Sequence, residues 1–431
     1  MSLILHEKQM EVYDSPHRFK VVAAGRRWGK CVSEDTLISM SSGTPKNIQD
    51  VLVGDSVVTY NEETLRFDDN IVEAVADNGE KECVRIKTRS RELIVTPNHP
   101  VFANNKWVNA GDLVVGDLVA TPKIDHRFGE TILPDYEVDL LAIWLAEGSR
   151  YNITNQSKYI VDIINRSVKG FGDEYFIKSE DGLHHNITNG SGSGKFKDSR
   201  NKFREMLERY DLWFANSKSK FLPDEILSLN EKQLARFINL FFACDGNFSK
   251  RSKNTWSIEL GLANERLIGQ FRDLLLKFGI VGSVRYKKHT KRSSVSGENF
   301  ESWNFIASGY QNFIKFYSKI GCVGKYDQIV DALDSQTDQK IGINEYLPVS
   351  YDEFVTHIKE SEFSDKYKNP HNALIKNISP ELRQLLSSWR KQTKDRISIY
   401  RLKLLLKYSD GTFDKLATQT DINWEEIREI E

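Results

Sequence analysis

Two acidic positions draw attention first. Glu147–Gly148 closes the apolar run VDLLAIWLAEG, and Asp245–Gly246 closes LARFINLFFACDG 98 residues later. Each run has helical length and stops at glycine, a common helix end. Each acid follows a small or thiol residue, Ala146 and Cys244. One such acid alone is an ordinary surface carboxylate, but two in a repeated context form a pair, spaced by about one αββ half-domain. The four cysteines, Cys31, Cys83, Cys244 and Cys322, lie far apart without a CxxC. Neither a zinc ribbon nor a disulfide framework is indicated, so any reactive thiol must be argued individually.

Another motif lies just before Cys31. The segment AGRRWGK follows the apolar FKVVA. A phosphate loop needs a strand, a turn of backbone N–H groups, a lysine for the outer phosphates and then Ser or Thr for Mg²⁺. Gly25, Gly29 and Lys30 supply the turn and the lysine. Ala24 stands where the first glycine belongs, and Cys31 where Ser or Thr belongs. A thiol suits a hard cation poorly. No alternation of strands and helices with a second metal carboxylate follows, so no ATP hydrolysis is expected.

The elements that must position these residues fall into five textures. Residues 1–30 end in the loop. Residues 31–123 carry short β-like runs (TLISM, SVVTY, CVRIKT, RELIVT, DLVA) separated by the turns SSGT, VGD and DNGE, the spacing of an all-β domain. After a reversal near 124–130, residues to 335 mix helical runs with the strands WSIELGLA and GSVRYKK. Residues 336–422 read as helical and charged, and NWEEIREIE as the start of a further strand. With 431 residues, two or three domains are expected. The 60 basic and 61 acidic residues balance, which neither demands nor excludes nucleic acid. No apolar run approaches the roughly 18 residues of a membrane span, and the N-terminus lacks a signal-peptide layout. No membrane partner and a cytoplasmic setting, in a bacterial or phage-infected cell, are expected.

Three resemblances follow from these motifs. GRRWGK, with Gln9 upstream, resembles the phosphate loop of phage large terminases, DNA-packaging ATPases. Cys31 followed by SEDTLI, VGD, TPNHP and AGDLVVGDLV, in that order, resembles the N-terminal splicing block of inteins, whose Hint fold is an all-β horseshoe. The resemblance implies that Cys31 attacks its preceding carbonyl and converts the Lys30–Cys31 peptide bond to a thioester. Thiols suit this step. Thr96 and His99 match the TxxH element, in which His protonates the leaving nitrogen and Thr positions the peptide. Cys31 would then interrupt the terminase loop where Ser or Thr should stand, and splicing would restore it.

LLAIWLAEGS and INLFFACDGN resemble the paired helices of LAGLIDADG homing endonucleases. The resemblance implies an α/β domain of pseudo-twofold αββαββ halves. Glu147 and Asp245 would hold Mg²⁺ or Mn²⁺ for cleavage of double-stranded DNA at the intein-less terminase gene. Close helix approach wants small residues one turn apart. Ala142 and Ala146 fit, whereas Leu240 occupies a position that is usually small. Lys220 in KFLPDEI matches the family's basic residue near the scissile phosphate, and Lys287 or Lys288 its counterpart in the second half. FYSKIGCVGKYDQ resembles the closing helix and turn. Basic residues cluster at Lys195, Lys197, Arg200, Lys202 and Arg204; at Lys250, Arg251 and Lys253; and at Arg285, Lys287, Lys288, Lys291 and Arg292. With Tyr286 and Trp256 interleaved, they fit a sheet laid along a duplex, where phosphate contacts dominate affinity.

The expected organisation is a multidomain chain. Residues 1–30 form a terminase-like extein, 31–123 the N-terminal part of an all-β Hint horseshoe, and 124–335 the endonuclease. A helical accessory tract at 336–422 follows, with Arg390–Arg396 and Arg401–Lys407 favouring DNA, and 423–431 begins a returning Hint block. The sequence does not end in the His-Asn pair that closes an intein, so thioester formation without ligation is expected, with a C-terminal intein fragment as partner if the intein is split. The competing readings are a DNA-binding insert with dead catalytic sites and a plain packaging ATPase fragment.

Overall fold

The computed structural model describes residues 22–23, 31–77, 79–190, 201–252, 255–290, 300–336, 346–363, 377–392, 395–418 and 421–431. The chain divides into two compact units. One comprises the described residues of Met1–Ser41, Pro45–Lys123 and Gln339–Glu431; the other comprises Ser42–Thr44 and Ile124–Asp338. Among the described residues no helix is long and apolar enough to cross a membrane.

The first unit is built from short antiparallel strands. Ser56–Asn61 and Arg66–Ile71 form a hairpin. A four-stranded sheet runs Lys106–Asn109, Pro100–Ala103, Leu118–Pro122, Ile422–Glu426. A three-stranded sheet runs Glu429–Ile430, Val84–Lys87, Glu92–Val95. The terminal NWEEIREIE therefore supplies a strand to each of two sheets. The strand expected in FKVVA is short, Val22–Ala23, and pairs in parallel with Ala74–Val75.

The tract after 336 is less purely helical than its composition suggests. It holds the helices Tyr351–Thr356, Pro380–Gln392 and Ile399–Leu405, but Tyr346–Leu347 pairs with Ile397–Ser398 as strands. The β-branched Ile397 leads into Ser398, whose side chain caps the next helix by accepting from Arg401 N. The buried faces of these helices share one core with Leu118, Ile422 and Trp424 of the four-stranded sheet.

The second unit repeats one plan twice. Helix Asp135–Glu147 runs directly into the strands Gly148–Ser149 and Asn152–Thr154, followed by helix Lys158–Ser167 and the strands Phe176–Lys178 and His184–Thr188. Helix Glu231–Asp245 runs into Gly246–Ser252 and Thr255–Leu262, then helix Glu265–Lys277, then Ser283–His289 and Phe300–Ser308. In both sheets the order is first, second, fourth, third strand. This is the α/β pseudo-repeat expected from the paired helix motifs.

The two repeated helices pack together. Val138, Ala142 and Trp144 of the first and Phe237, Leu240 and Phe241 of the second belong to one buried core. Leu240, unusual for its position, is 5% exposed. Arg236 clasps the buried Asp139, with Nε to Oδ1 at 2.5 Å and Nη2 to Oδ2 at 2.8 Å. Ser167 donates to the same carboxylate at 3.0 Å.

Candidate functional sites

In the β-rich unit, Cys31 and Thr96 are cross-linked by two hydrogen bonds. Cys31 N donates to Thr96 Oγ1 at 3.0 Å, and Thr96 N donates to Cys31 O at 3.0 Å. The adjoining bridge Val32–Val95 fixes the register of the two segments. Thr96 is buried, and Cys31 is half-buried. A tight turn follows, closed by His99 N–H to Thr96 O at 2.9 Å. It places Thr96 and His99 on one turn beside the segment that carries Cys31. The local sequence explains the turn: TPNHP has proline at two positions where no backbone donor is needed. Thr96 Oγ1 thus holds the N–H of the peptide bond that precedes Cys31.

In the α/β unit, Glu147 and Asp245 are each the last residue of their helix. The glycines that follow are not left-handed helix stops. Gly148 (φ −90°, ψ 152°) and Gly246 (φ −75°, ψ 153°) are extended and begin a strand at once. They are glycines for lack of space: a Cβ on Gly148 would collide with the Trp144 ring, and one on Gly246 with the Phe242 ring.

A lysine seals each helix end. The final carbonyls of a helix lack intrahelical partners and carry its negative dipole end, which suits an ammonium group. Lys220 Nζ donates to the carbonyls of Trp144 (2.9 Å), Leu145 (3.1 Å) and Gly148 (2.8 Å). Lys325 Nζ donates to those of Phe242 (3.0 Å), Cys244 (3.5 Å) and Gly246 (2.6 Å). The two lysines are equivalents across the repeat.

Lys325 therefore replaces Lys287 and Lys288 as the counterpart of Lys220. Lys287 and Lys288 stand exposed in the middle of strand Ser283–His289, where neither seals a helix end. The sequence did carry a signal. Ser219-Lys220-Phe221 and Gly324-Lys325-Tyr326 share a small residue, lysine and aromatic order. Gly321 (φ +69°) and Gly324 (φ +75°) make the turn that delivers Lys325.

Burial sets the electrostatics. Asp245 is pushed up to about 7, first by burial and then by the negative charge of Glu147, against the pull of Lys220 and Lys325. Glu147 is also raised by burial, opposed first by its hydrogen bond from Asn155. Lys220 is lowered to about 8 by burial. Burial likewise raises the thiols of Cys244 and Cys322, the latter to about 12, which makes both poor nucleophiles.

Asn155, not singled out by the sequence motifs, is 8% exposed, and its Nδ2 donates to Glu147 Oε2 at 2.5 Å. Its Oδ1 accepts from Ser157 N at 2.7 Å, and His185 Nε2 lies 2.7 Å from its carbonyl oxygen. Among the described residues no group of three or more His, Cys, Asp or Glu is arranged to hold a metal. The two carboxylates offer hard oxygen donors whose mutual repulsion a divalent cation would relieve, so their chemistry fits Mg²⁺ or Mn²⁺.

Strand alternation sorts the basic residues. Arg285 and Lys287 lie opposite Asn304 and Ser302, on the face away from the helices. Arg251 shares that face, paired with Glu259 and donating to Ser257 Oγ at 3.0 Å. Lys288 and Tyr286 lie opposite Glu301 and Trp303 on the helix-bearing face. Lys250 is also there, 5.8 Å over the ring of Trp256, which packs on the core. Tyr286 and Trp256 are thus not interleaved with the outward cations. Lys202 and Arg204 belong to helix Lys202–Arg209, not to a strand. Gly25, Gly29, Lys30, Lys195, Lys197, Arg200, Lys253, Lys291 and Arg292 lie outside the described residues.

Comparison with known proteins places the chain. A family model described as the intein splicing domain matches residues 38–431. The chain belongs to that family. The replicative DNA helicase DnaB of Synechocystis sp. is 23% identical over 311 residues, covering 69% of this chain. The chain spans 35% of that relative's length. A solved DnaB intein from Synechocystis sp. is 28% identical, covering 22% of this chain and 69% of its own, at a TM-score of 0.21. Mesophilic variants of the homing endonuclease I-DmoI are 13% identical, covering 45% of this chain and 97% of theirs, at a TM-score of 0.29.

The expected insertion in a phage terminase is overturned. The relatives found are DnaB helicases, replication factor C small subunits and RecA proteins, together with solved DnaB inteins, and not terminases. The physical reason is plain. A seven-residue Gly/Arg turn defines phosphate binding at most, and phosphate loops occur across many unrelated proteins.

Proposed function

We propose that this chain is an intein carrying a homing endonuclease, with an acyl-shift site at Cys31 and a DNA-cleaving site at Glu147 and Asp245. The hydrogen bond from Cys31 N to Thr96 Oγ1 carries the first part. Sγ of Cys31 attacks the carbonyl carbon of Lys30. The C–N bond breaks, the Cys31 nitrogen takes up a proton and leaves as an amine, and a thioester remains. Thr96 holds the N–H of the breaking bond, and His99 on the same turn is assigned the proton delivery. The test is thiol-driven release of residues 1–30, read by intact-mass spectrometry. The wild-type chain is expected to release them and Cys31→Ala is not; equal release from both would overturn the assignment.

The matched pairs Glu147 with Lys220 and Asp245 with Lys325 carry the second part. Two carboxylates at the ends of packed helices, each flanked by a buried or half-buried lysine, suit hydrolysis of two phosphodiesters related by a twofold. Glu147 and Asp245 would hold the divalent ion, which supplies activation of water and charge stabilisation at the leaving oxygen. Lys220 and Lys325 supply positive charge beside the scissile phosphates. Arg285 and Lys287 contact the DNA backbone, while Asn304, Asn152 and Asn186 on the outer faces supply amides suited to reading base edges. The expected substrate is double-stranded DNA of the uninterrupted host gene. A DNA-binding insert without cleavage is the reading to adopt if wild-type chain binds that DNA and leaves it intact with Mg²⁺ and with Mn²⁺.

A further inference from the structure

We infer that the described residues of 346–417 belong to the splicing apparatus, as a brace that holds strand Ile422–Glu426 so that the hairpin bearing Thr96 stays against Cys31. Its functional consequence rests on the thioester assignment at Cys31. The observations run from the tract to the nucleophile in unbroken contact, which is the physical requirement for coupling.

The tract is docked, not free. Phe354, Leu386, Trp389 and Leu402 are fully buried and share a core with Ile422 and Trp424 of the strand and Leu118 of its neighbour. Three of its cations, which by charge alone suggest a DNA arm, are engaged within this unit. Arg396 Nη1 binds Glu426 of the strand at 2.7 Å, its guanidinium lies 5.0 Å from the Tyr346 ring, and its carbonyl accepts from Trp389 Nε1 at 2.8 Å. Arg390 lies 5.7 Å over the Tyr351 ring, and Lys407 pairs with Glu381 at 3.1 Å.

The strand in turn grips the hairpin. Glu425 accepts from Thr88 Oγ1 at 2.6 Å and from Ser90 Oγ at 2.7 Å, in the loop joining Val84–Lys87 to Glu92–Val95. Glu429–Ile430 adds its own ladder to Val84–Lys87, with Lys87 Nζ 3.2 Å from Glu429. The far edge of that hairpin is Val95, bridged to Val32, followed by Thr96 on Cys31. Loosening Arg396 from Glu426 therefore frees one end of a path whose other end is the scissile peptide.

The experiment uses the full chain with Arg396→Glu, Glu426→Arg, both together, and the milder Glu425→Gln in case a reversal unfolds the unit. Three quantities are read: thiol-driven release of residues 1–30, hydrogen exchange at the Cys31 and Thr96 amides, and affinity for duplex DNA against salt. Each single variant is expected to slow release about tenfold, the scale of one charged hydrogen bond, and to speed exchange at both amides. The double reversal is expected to restore both, with DNA affinity unchanged throughout. Unchanged release and exchange in the single variants, or no rescue in the double, would overturn the brace. So would a loss of DNA affinity in Arg396→Glu with a shallower salt slope, which would mark a DNA arm. If the wild-type chain releases nothing, the Cys31 assignment fails, and the exchange pattern still decides whether the brace exists.

Discussion

Asp245 is the residue whose environment departs furthest from that of an ordinary carboxylate. Burial and the charge of Glu147 raise its pKa to about 7, so a growing share of it is protonated as pH falls below neutral. Cleavage at low metal concentration is therefore expected to fall as pH drops below about 7, and saturating Mg²⁺ is expected to shift that edge to lower pH. The stability effect has the opposite sense. An acid whose folded pKa exceeds the unfolded 3.8 favours folding while protonated, and that advantage is lost as pH rises from about 4 through about 7. Asp245→Asn is expected to flatten this slope and to be the more stable chain at pH 8, in denaturant melts at several pH values. Lys220→Met leaves three helix-end carbonyls without their shared donor. A loss of about 1–3 kcal/mol is expected, together with loss of cleavage; Lys325→Met is expected to behave alike. If Lys325→Met cleaves normally while Lys287→Met does not, the pairing of lysines across the repeat is wrong.

At the scale of elements, the joins between helix and strand are the constrained points. Gly148→Ala and Gly246→Ala are each expected to cost about 1–3 kcal/mol, because the added methyl must displace an aromatic ring one turn back. Thermal or denaturant unfolding measures this directly. The paired helices were legible in the sequence because an apolar run ending in acid-glycine occurs twice. The strands of the splicing unit were legible because alternation and turn residues are local signals. Lys325 and Asn155 were not, because their roles depend on which carbonyls and carboxylates the fold brings near. The side of the sheet on which Tyr286 and Trp256 lie was equally hidden: period-two alternation says that neighbours face opposite ways, not which face is buried. In the tract after 336, charge alone could not show which cations have partners within the fold. Arg396 reads as a DNA ligand by charge, and only the fold shows Glu426 bound beside it.

For the whole molecule, the proposed function assigns two chemistries to the two compact units of one chain. On the proposed reading, thioester formation would draw on Cys31, Thr96 and His99, and cleavage on Glu147, Asp245, Lys220 and Lys325. Cys31→Ala is accordingly expected to abolish thiol-driven release while leaving DNA cleavage within about twofold of wild type, a change worth less than half a kcal/mol. Joint loss of both activities would show that the sites are not independent. The same separation predicts that Glu147→Gln leaves release of residues 1–30 intact. The most direct measurement of the central claim is cleavage of a supercoiled plasmid bearing the uninterrupted host sequence, in Mg²⁺, by the wild-type, Cys31→Ala and Glu147→Gln/Asp245→Asn chains. Linear product with one defined pair of ends is expected from the first two and none from the third. Cleavage that persists without both carboxylates, or an intact plasmid with the wild-type chain in Mg²⁺ and in Mn²⁺, would contradict it.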